Sequence, residues 1–216
     1  MKPTLFIVGG SSTALEIRET VDQFFKDKYF AVYNVISDEE PPILQTYIRD
    51  SSLLDRLSTI EVSHYIIGFT NRTLRLRFVD LFGGFNSVLD NVIHPSSYIS
   101  PSAILGKGNY LAANAVISSN ALIGNSNLIN YNVTIGHDVV VGSDCFFNPG
   151  ARISGNVKIG NGCLFGANSF VFQGLEIKDD CQIDALCYID RVIEANSMCT
   201  SNGGSLSCLL YTSPSL

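Results

Sequence analysis

Apolar residues recur at every sixth position through the second half of the chain, without an interruption between residues 93 and 189. A period of six is neither the two of a lone strand nor the 3.6 of a helix. Each unit is therefore predicted to be a short strand followed by a turn. Stacked units build a coil whose large apolar side chains fill the interior. These side chains belong to Ile93, Ile99, Leu105, Leu111, Ile117, Ile123, Ile129, Ile135, Val141, Phe147, Ile153, Ile159, Phe165, Val171, Ile177, Ile183 and Ile189.

Two other positions of the six-residue unit support this coil. The residue four places after each large apolar one is mostly small, which lets large side chains fill the middle of a narrow prism. Turn formers follow the apolar residue directly, where a positive φ or a tight bend is easy for Gly and Asn. These positions predict a parallel β-helix with three units per coil, whose flat exposed faces favour a trimer. The turn formers are Gly106, Gly124, Asn130, Gly136, Gly142, Asn148, Gly160 and Gly166.

The first third of the chain instead alternates strand-like and helix-like segments. This alternation predicts a small parallel sheet, half of a Rossmann-like unit. Thr13 and Glu16 fit a capping box, so the first helix is expected to begin at Thr13. The expected strands are residues 4–8, 29–36 and 64–70, and the expected second helix is residues 71–82.

Charge density falls sharply near residue 90, which indicates a change of domain. We predict an α/β Rossmann-like domain over residues 1–87 and an all-β helix domain over residues 88–190. Residues 191–216 are rich in serine and do not continue the repeat, so an irregular tail is expected there.

A glycine-rich turn follows the first expected strand. Gly9 and Ser11 belong to this turn, and its backbone N–H groups could hold a diphosphate at the start of a helix. A tight turn that needs small residues is an equally good interpretation, because the other glycines of the dinucleotide fingerprint are missing. Asp38 ends the second strand and could accept hydrogen bonds from a ribose or a base, or could simply be solvated.

Composition narrows the possible partners. The chain has 216 residues, a formal net charge of −6 and no basic run, which argues against nucleic acid and anionic membranes as partners. Its apolar stretches are only strand-sized, and its first residues lack the features of a signal peptide. We therefore expect a soluble, cytoplasmic protein without membrane insertion.

Six cysteines are present, but none forms a CxxC pair. Cys145, Cys163, Cys181 and Cys187 all occupy the small position of the repeat. We interpret them as packing residues, and no metal site is expected.

Four segments allow a more specific interpretation: VIHPSSYISPSA (92–103), NYNVTIGHD (130–138), PGARISGNVKIG (149–160) and GANSFV (166–171). They resemble the bacterial nucleotide-sugar acetyltransferases that build bacillosamine and perosamine, and the neighbouring sialic acid O-acetyltransferases. These enzymes belong to the hexapeptide left-handed β-helix superfamily. The resemblance implies a left-handed coil, acetyl-CoA as the acetyl donor and a homotrimer with active sites between subunits.

The resemblance also implies roles at the reaction centre. His137 matches the family's general base, Asp138 the carboxylate beside it, and Asn130 a polar residue that helps to hold the acceptor. Gly155 matches the residue whose backbone N–H faces the thioester oxygen. An imidazole that titrates near neutrality suits removal of a proton from an attacking amine, and a backbone N–H suits stabilisation of the resulting oxyanion.

The remaining matches concern binding. Ala167 and Ala185 match backbone contacts to the pantetheine arm and toward the far end of CoA. Gly9, Ser11 and Asp38 fall where the family holds the nucleotide.

The leading hypothesis is acetyl-CoA-dependent N-acetylation of a UDP- or dTDP-linked 4-amino-4,6-dideoxy sugar, a step of O-antigen or glycan biosynthesis. O-acetylation of a sugar hydroxyl, for instance on a sialic acid, would use the same base. Phe146 stands where many relatives have a second histidine, which keeps a noncatalytic β-helix scaffold as an alternative. A zinc site would need three converging histidines, and only His94 and His137 lie in the predicted β-helix.

Overall fold

The computed structural model describes residues 2–39, 46–202 and 205–210. The chain divides into two compact units, Met1–Val92 and Ile93–Leu216. The first unit extends beyond residue 87 because a short strand, Ser87–Leu89, pairs with the strand Ser63–Ile67 and completes the first sheet.

The first unit is built on a five-stranded sheet in which all the described strand pairs are parallel. The strand order is β3-β2-β1-β4-β5, so the chain reverses its direction of winding between β1 and β4. The first strand is buried along its whole length, and Phe6, Tyr65 and Phe82 belong to the core. The elements are β1 (Thr4–Val8), α1 (Ser12–Phe24), a 3₁₀ helix (Lys26–Lys28), β2 (Ala31–Ile36), β3 (Tyr47–Arg49), a second 3₁₀ helix (Asp50–Ser52), α2 (Leu53–Ser58), β4 (Ser63–Ile67), α3 (Arg72–Gly83) and β5 (Ser87–Leu89).

The prediction of a capping box at the start of α1 is wrong. The helix begins at Ser12, its N-cap residue is Ser11, and no side chain caps it. The Ser11 hydroxyl instead donates a hydrogen bond to the carbonyl oxygen of Gly68, 3.1 Å away, and ties the turn to the end of β4. A contact between residues so far apart in the chain leaves no local sequence signal.

The second unit is a parallel β-helix. Its strands contain two residues each and pair with the strand 18 residues later, so three strands make one coil. We number the three sheets face 1, which starts at β6, face 2, which starts at β7, and face 3, which starts at β8. The strands are β6 (Val92–Ile93), β7 (Tyr98–Ile99), β8 (Ile104–Leu105), β9 (Tyr110–Leu111), β10 (Val116–Ile117), β11 (Leu122–Ile123), β12 (Leu128–Ile129), β13 (Thr134–Ile135), β14 (Val140–Val141), β15 (Phe146–Phe147), β16 (Arg152–Ile153), β17 (Lys158–Ile159), β18 (Leu164–Phe165), β19 (Phe170–Val171), β20 (Glu176–Ile177), β21 (Gln182–Ile183) and β22 (Tyr188–Ile189).

The interior contains the predicted repeat residues. From Leu111 to Ile189 the large apolar residue of every unit is buried, whereas Ile93, Ile99 and Leu105 of the first coil are only partly buried. Phe147 and Phe165 stack inside the coil with their ring centroids 4.8 Å apart. The first coil has a neighbouring coil on one side only, which accounts for its greater exposure.

The structure changes the explanation for the glycines after the apolar residue. Positive φ angles fall two positions later, at residues such as Asn120 and Asp138, and not at Gly124 or Gly142. Those two glycines are needed for close approach instead. A Cβ built on Gly124 would lie 2.5 Å from the carbonyl oxygen of Gly142, a distance that real Cβ atoms essentially never show.

Residues 191–216 are not irregular throughout, as expected, because part of this tail forms a hairpin. Strands β23 (Ser197–Asn202) and β24 (Ser205–Leu210) pair antiparallel, and a disulfide joins Cys199 to Cys208. Strand β23 also pairs with β21, which places Cys199 beside Ile183 and extends face 1. That step spans 16 residues where the earlier coils use 18, so the six-residue register is lost in the sequence although the sheet continues.

Candidate active site

His137 and Asp138 form a close pair on the turn that follows β13. The His137 Nδ1 atom lies 2.8 Å from the Asp138 Oδ2 atom. An ionised carboxylate can only accept a hydrogen bond, so Nδ1 donates it and the lone pair of the neutral ring stays on Nε2. Both side chains are about half exposed, which leaves Nε2 accessible to a proton donor.

Asp138 is fixed from two further sides. Its Oδ1 atom accepts a hydrogen bond of 3.1 Å from the Asn120 amide, and its backbone N–H donates to the carbonyl oxygen of Ser119. The hydrogen bonds from His137 and Asn120 lower the pKa of Asp138 below its usual value. Asn120 was missed in the sequence, although it stands one coil of 18 residues before Asp138.

Gly155 lies directly against the imidazole ring, one coil beyond His137. A Cβ built on Gly155 would be 2.5 Å from the Nε2 atom and 2.6 Å from the Cε1 atom of His137. The next residue, Asn156, donates its backbone N–H to the His137 carbonyl oxygen at 2.9 Å. The structure thus brings three predicted residues together on one edge of the prism. We call this edge, between faces 2 and 3, the histidine edge.

Asn130, Ala167 and Ala185 lie on a different edge, between faces 1 and 2, which we call the alanine edge. Ala167 accepts a backbone hydrogen bond of 2.9 Å from Leu186, so Ala167 and Ala185 stand on neighbouring coils. The Asn130 side chain accepts a hydrogen bond from the Tyr131 N–H at 2.8 Å. Strand β13 separates Asn130 from His137, so a single chain does not gather all the predicted residues at one place.

A separate cavity of about 420 Å³ lies in the first unit, at the carboxyl ends of β1, β2 and β4. This is where open parallel sheets bind ligands, beside the point where the strand order reverses. Gly9 and Ser11 line it, as predicted. Gly9 has a φ of 132°, a left-handed conformation that favours glycine.

Asp38 is positioned differently from Gly9 and Ser11. Its neighbour Ser37 lines the cavity, whereas the Asp38 Oδ1 atom accepts a hydrogen bond of 2.7 Å from the Ser51 hydroxyl. The carboxylate that lines the cavity is that of Asp50, at the start of the second 3₁₀ helix. Sequence reasoning missed Asp50, because the short strand β3 that delivers it was not predicted.

The other side of the cavity is formed by the β4–α3 turn and by α3. Asn71 caps this helix by accepting a hydrogen bond from the Leu74 N–H at 3.0 Å, and Arg77 reaches the cavity from the second turn. The buried side chain of Arg75 donates to the carbonyl oxygen of Phe69 at 2.6 Å and holds the turn in place.

The repeat cysteines are buried in the β-helix, as expected of packing residues. Cys145, Cys163 and Cys181 stack along the remaining edge, and the thiol of each donates to a backbone carbonyl oxygen of a neighbouring coil. Contact with the Cys145 thiol is the main cause that raises the pKa of Cys163 to about 12. This thiol is therefore neutral at physiological pH.

Two searches of the described ranges, 2–39, 46–202 and 205–210, gave no result. Within these ranges no helix is long and apolar enough to cross a membrane. Among the same residues no group of three or more His, Cys, Asp or Glu side chains is arranged to hold a metal ion.

Two family models match the β-helix. The one described as bacterial transferase hexapeptide (six repeats) matches residues 120–155, and the hexapeptide repeat of succinyl-transferase matches residues 156–191. Residues 120–191 are thus hexapeptide repeats of this kind. A comparison with curated proteins found no match.

Solved structures match almost the whole chain. A mutant of perosamine N-acetyltransferase from Caulobacter crescentus, in complex with CoA and GDP-perosamine, has a TM-score of 0.84 and 22% identity, over 96% of this chain and 98% of that one. The acetyltransferase domain of PglB from Neisseria gonorrhoeae, in complex with acetyl coenzyme A, has a TM-score of 0.80 and 21% identity, over 97% of this chain and 100% of that one. WeeI from Acinetobacter baumannii has a TM-score of 0.82 and 22% identity, over 95% of this chain and 100% of that one.

These similarities confirm the predicted fold class. The chain has an N-terminal α/β unit of Rossmann-like type followed by a left-handed β-helix of hexapeptide repeats. At these identities the likeness to solved structures speaks for the fold alone.

Proposed function

We propose, with the hexapeptide repeats and the fold as the premise, that this protein is an acyltransferase that uses acetyl-CoA to acetylate the amino group of a nucleotide-linked sugar. The observation that carries the proposal is the arrangement of His137, Asp138 and Gly155. It combines an accessible imidazole nitrogen, a carboxylate that orients the ring and a close-packed backbone beside it.

The proposed reaction is direct attack of the sugar amine on the thioester carbon. The amine must lose a proton as the new C–N bond forms, and the Nε2 atom of His137 accepts it. Asp138 holds the ring through Nδ1 and stabilises the imidazolium that appears, because its own pKa is lowered and it stays ionised. The Gly155 N–H is the donor we assign to the oxygen of the tetrahedral intermediate. CoA leaves as the thiol when the C–S bond breaks.

Acetyl-CoA would lie along the alanine edge, where Ala167 and Ala185 leave the backbone accessible. Two observations support this choice. The side chains on this edge are small, and structurally similar proteins are described in complex with CoA or acetyl coenzyme A. The chemistry proposed for His137 needs no metal ion.

The acceptor would be a 4-amino-4,6-dideoxy sugar attached to a nucleoside diphosphate, and its acetylated product would serve glycan biosynthesis. The cavity at the carboxyl ends of β1, β2 and β4 is the proposed site for the nucleotide, with Gly9 and Ser11 in its wall. One similar structure is described with GDP-perosamine, so GDP joins UDP and dTDP as a candidate nucleotide. The protein would act in the cytoplasm, where both proposed substrates occur.

A homotrimer would complete the site. On one prism the histidine edge and the alanine edge lie on opposite sides of face 2. If each copy presents its histidine edge to one neighbour and its alanine edge to the other, every thioester meets an imidazole. In this arrangement face 2 points toward the threefold axis and its outer side chains are covered. Phe170 and Tyr188 on that face stack with ring centroids 5.3 Å apart, and Tyr188 is 52% exposed in a single chain.

The Tyr188→Asp variant is expected to dissociate the trimer and to lose most acetyl transfer. An unpaired carboxylate buried in each interface would cost on the order of 3 kcal/mol. Light scattering coupled to size-exclusion chromatography measures the mass directly. Leu122→Asp is the matched control, because Leu122 lies on face 3 and is 44% exposed. A trimer that survives Tyr188→Asp, or that both changes disrupt equally, would contradict this arrangement.

The proposed function is tested by incubating the protein with acetyl-CoA and a panel of UDP-, dTDP- and GDP-linked amino sugars while free thiol release is followed. Hydroxyl analogues of the same sugars and a free sialic acid complete the panel. We expect transfer to the amines. Transfer only to hydroxyl groups would make the protein an O-acetyltransferase, and no transfer at all would leave a noncatalytic scaffold.

A further inference from the structure

Arg77 and Asp50 face each other across the cavity of the first unit. The Nη2 atom of Arg77 lies 3.2 Å from the Oδ2 atom of Asp50. Among the described residues that line the cavity, Arg77 carries the only positive charge and Asp50 the only negative charge. The two groups come from different parts of the fold, since α3 supplies Arg77 and the segment after β3 supplies Asp50.

This ion pair is poorly suited to stabilising the fold. The Arg77 side chain is 57% exposed and makes one contact of moderate length with Asp50. Exposed pairs of this kind contribute little, because water and salt screen them and both side chains lose freedom. A phosphate group offers the guanidinium a better partner, since it can accept two parallel charge-assisted hydrogen bonds.

Displacement of Arg77 by a ligand would free the Asp50 carboxylate inside the same cavity. Asp50 is about one-quarter exposed and can only accept hydrogen bonds when ionised. A second anionic phosphate would be repelled there. The hydroxyl groups of a ribose are neutral donors, and a carboxylate is the acceptor that dinucleotide-binding folds use for them. The size of the cavity, about 420 Å³, lies within the usual range for small-molecule sites.

We propose that Arg77 binds the diphosphate of the nucleotide-linked sugar, while Asp50 accepts hydrogen bonds from the ribose, so that the cavity selects ribonucleotides over 2′-deoxyribonucleotides. This inference rests on the proposed function, because it takes the cavity as the nucleotide site. It narrows the acceptor to UDP- or GDP-linked sugars and excludes dTDP-linked ones.

Isothermal titration of the full chain with UDP, dUDP and uridine, and with GDP, dGDP and guanosine, tests both parts. Arg77→Gln is expected to weaken binding of the preferred diphosphate by about 10- to 100-fold and to leave its nucleoside nearly unchanged, because only the phosphate contact is lost. Asp50→Asn keeps the side-chain shape and should bring the ribose-to-deoxyribose affinity ratio from about 10 in the unaltered protein to near 1.

Arg56→Gln is the matched control for Arg77→Gln. Arg56 belongs to the same unit and donates a hydrogen bond to the Tyr33 hydroxyl at 3.0 Å, away from the lining of this cavity. Equal effects of the two changes would overturn the role of Arg77, as would equal weakening of nucleoside and diphosphate. Thermal melts identify a variant that fails to fold, and Arg77→Lys, which keeps the charge, should then recover part of the affinity.

Binding and acetyl transfer can fail separately. If nucleotide binding follows the expected pattern but no sugar is acetylated, the proposed reaction falls and the recognition of ribonucleotides stands. If amino sugars are acetylated but UDP and dUDP, and likewise GDP and dGDP, bind equally well, the role of Asp50 is wrong and the reaction stands.

Discussion

The His137→Ala variant is expected to lose acetyl transfer by about 10²- to 10⁴-fold in kcat, the usual contribution of a positioned general base. The side chain is 56% exposed, so its removal leaves no cavity in the core and the fold should persist. Thiol release from acetyl-CoA in the presence of the amino sugar measures the loss. Light scattering should show the same oligomer as the unaltered protein.

Two further variants sharpen this expectation. His137→Asn keeps a side chain that can bond to Asp138 but removes the base, so it should be as inactive as His137→Ala. His94→Ala removes another exposed histidine of the β-helix, which bonds to the nearby Ser96 hydroxyl, and should keep full activity. An unchanged rate in His137→Ala would refute the proposed chemistry even if the acetylated product is confirmed.

The β-helix was predictable because each coil repeats the same local problem. Large residues such as Ile135 must point inward, and only every sixth position does so, which makes the sequence period visible. The reason for the glycines was not visible. Gly142 is required because the next coil passes close to it, and a sequence does not show how near a neighbouring backbone comes.

The histidine edge was largely predictable, since His137 and Gly155 stand one coil apart and a regular repeat places them side by side. Asn120 obeys the same spacing toward Asp138 and could have been found by applying the repeat in the opposite direction. The cavity of the first unit is different. Arg77 and Asp50 meet through the packing of α3 against a short strand, and neither belongs to a periodic pattern.

Secondary structure shows the same division. The strands of the first unit were predicted to within a few residues where they are buried, as in Thr4–Val8. Short elements such as β3 contain too few residues to establish a pattern. The hairpin was missed because the last coil is shorter than the others, and parallel pairing with β21 then places Cys199 out of register.

Gly155→Ala is expected to lower kcat by about 10²-fold, the effect of displacing a catalytic group by roughly an ångström. The added methyl group would lie 2.5 Å from the His137 Nε2 atom, so the imidazole ring must move away. The backbone N–H assigned to the oxyanion remains in this variant. The loss would therefore report the position of the base. Because the overlap is with a half-exposed side chain, the melting temperature should change little.

Two glycine controls separate this effect from strain. Gly142→Ala also adds a methyl group, but it would lie 2.6 Å from the backbone oxygen of Gly160, so it should lower the melting temperature clearly. Gly83→Ala meets no atom within 4 Å and should change neither stability nor activity.

A double-mutant cycle decides how Gly155→Ala acts. In a His137→Ala background the ring is gone, so adding Gly155→Ala should cost almost nothing further. If the second change instead lowers the residual rate by the same factor as in the unaltered protein, Gly155 influences the reaction through its backbone. The contact with the imidazole would then have no catalytic consequence.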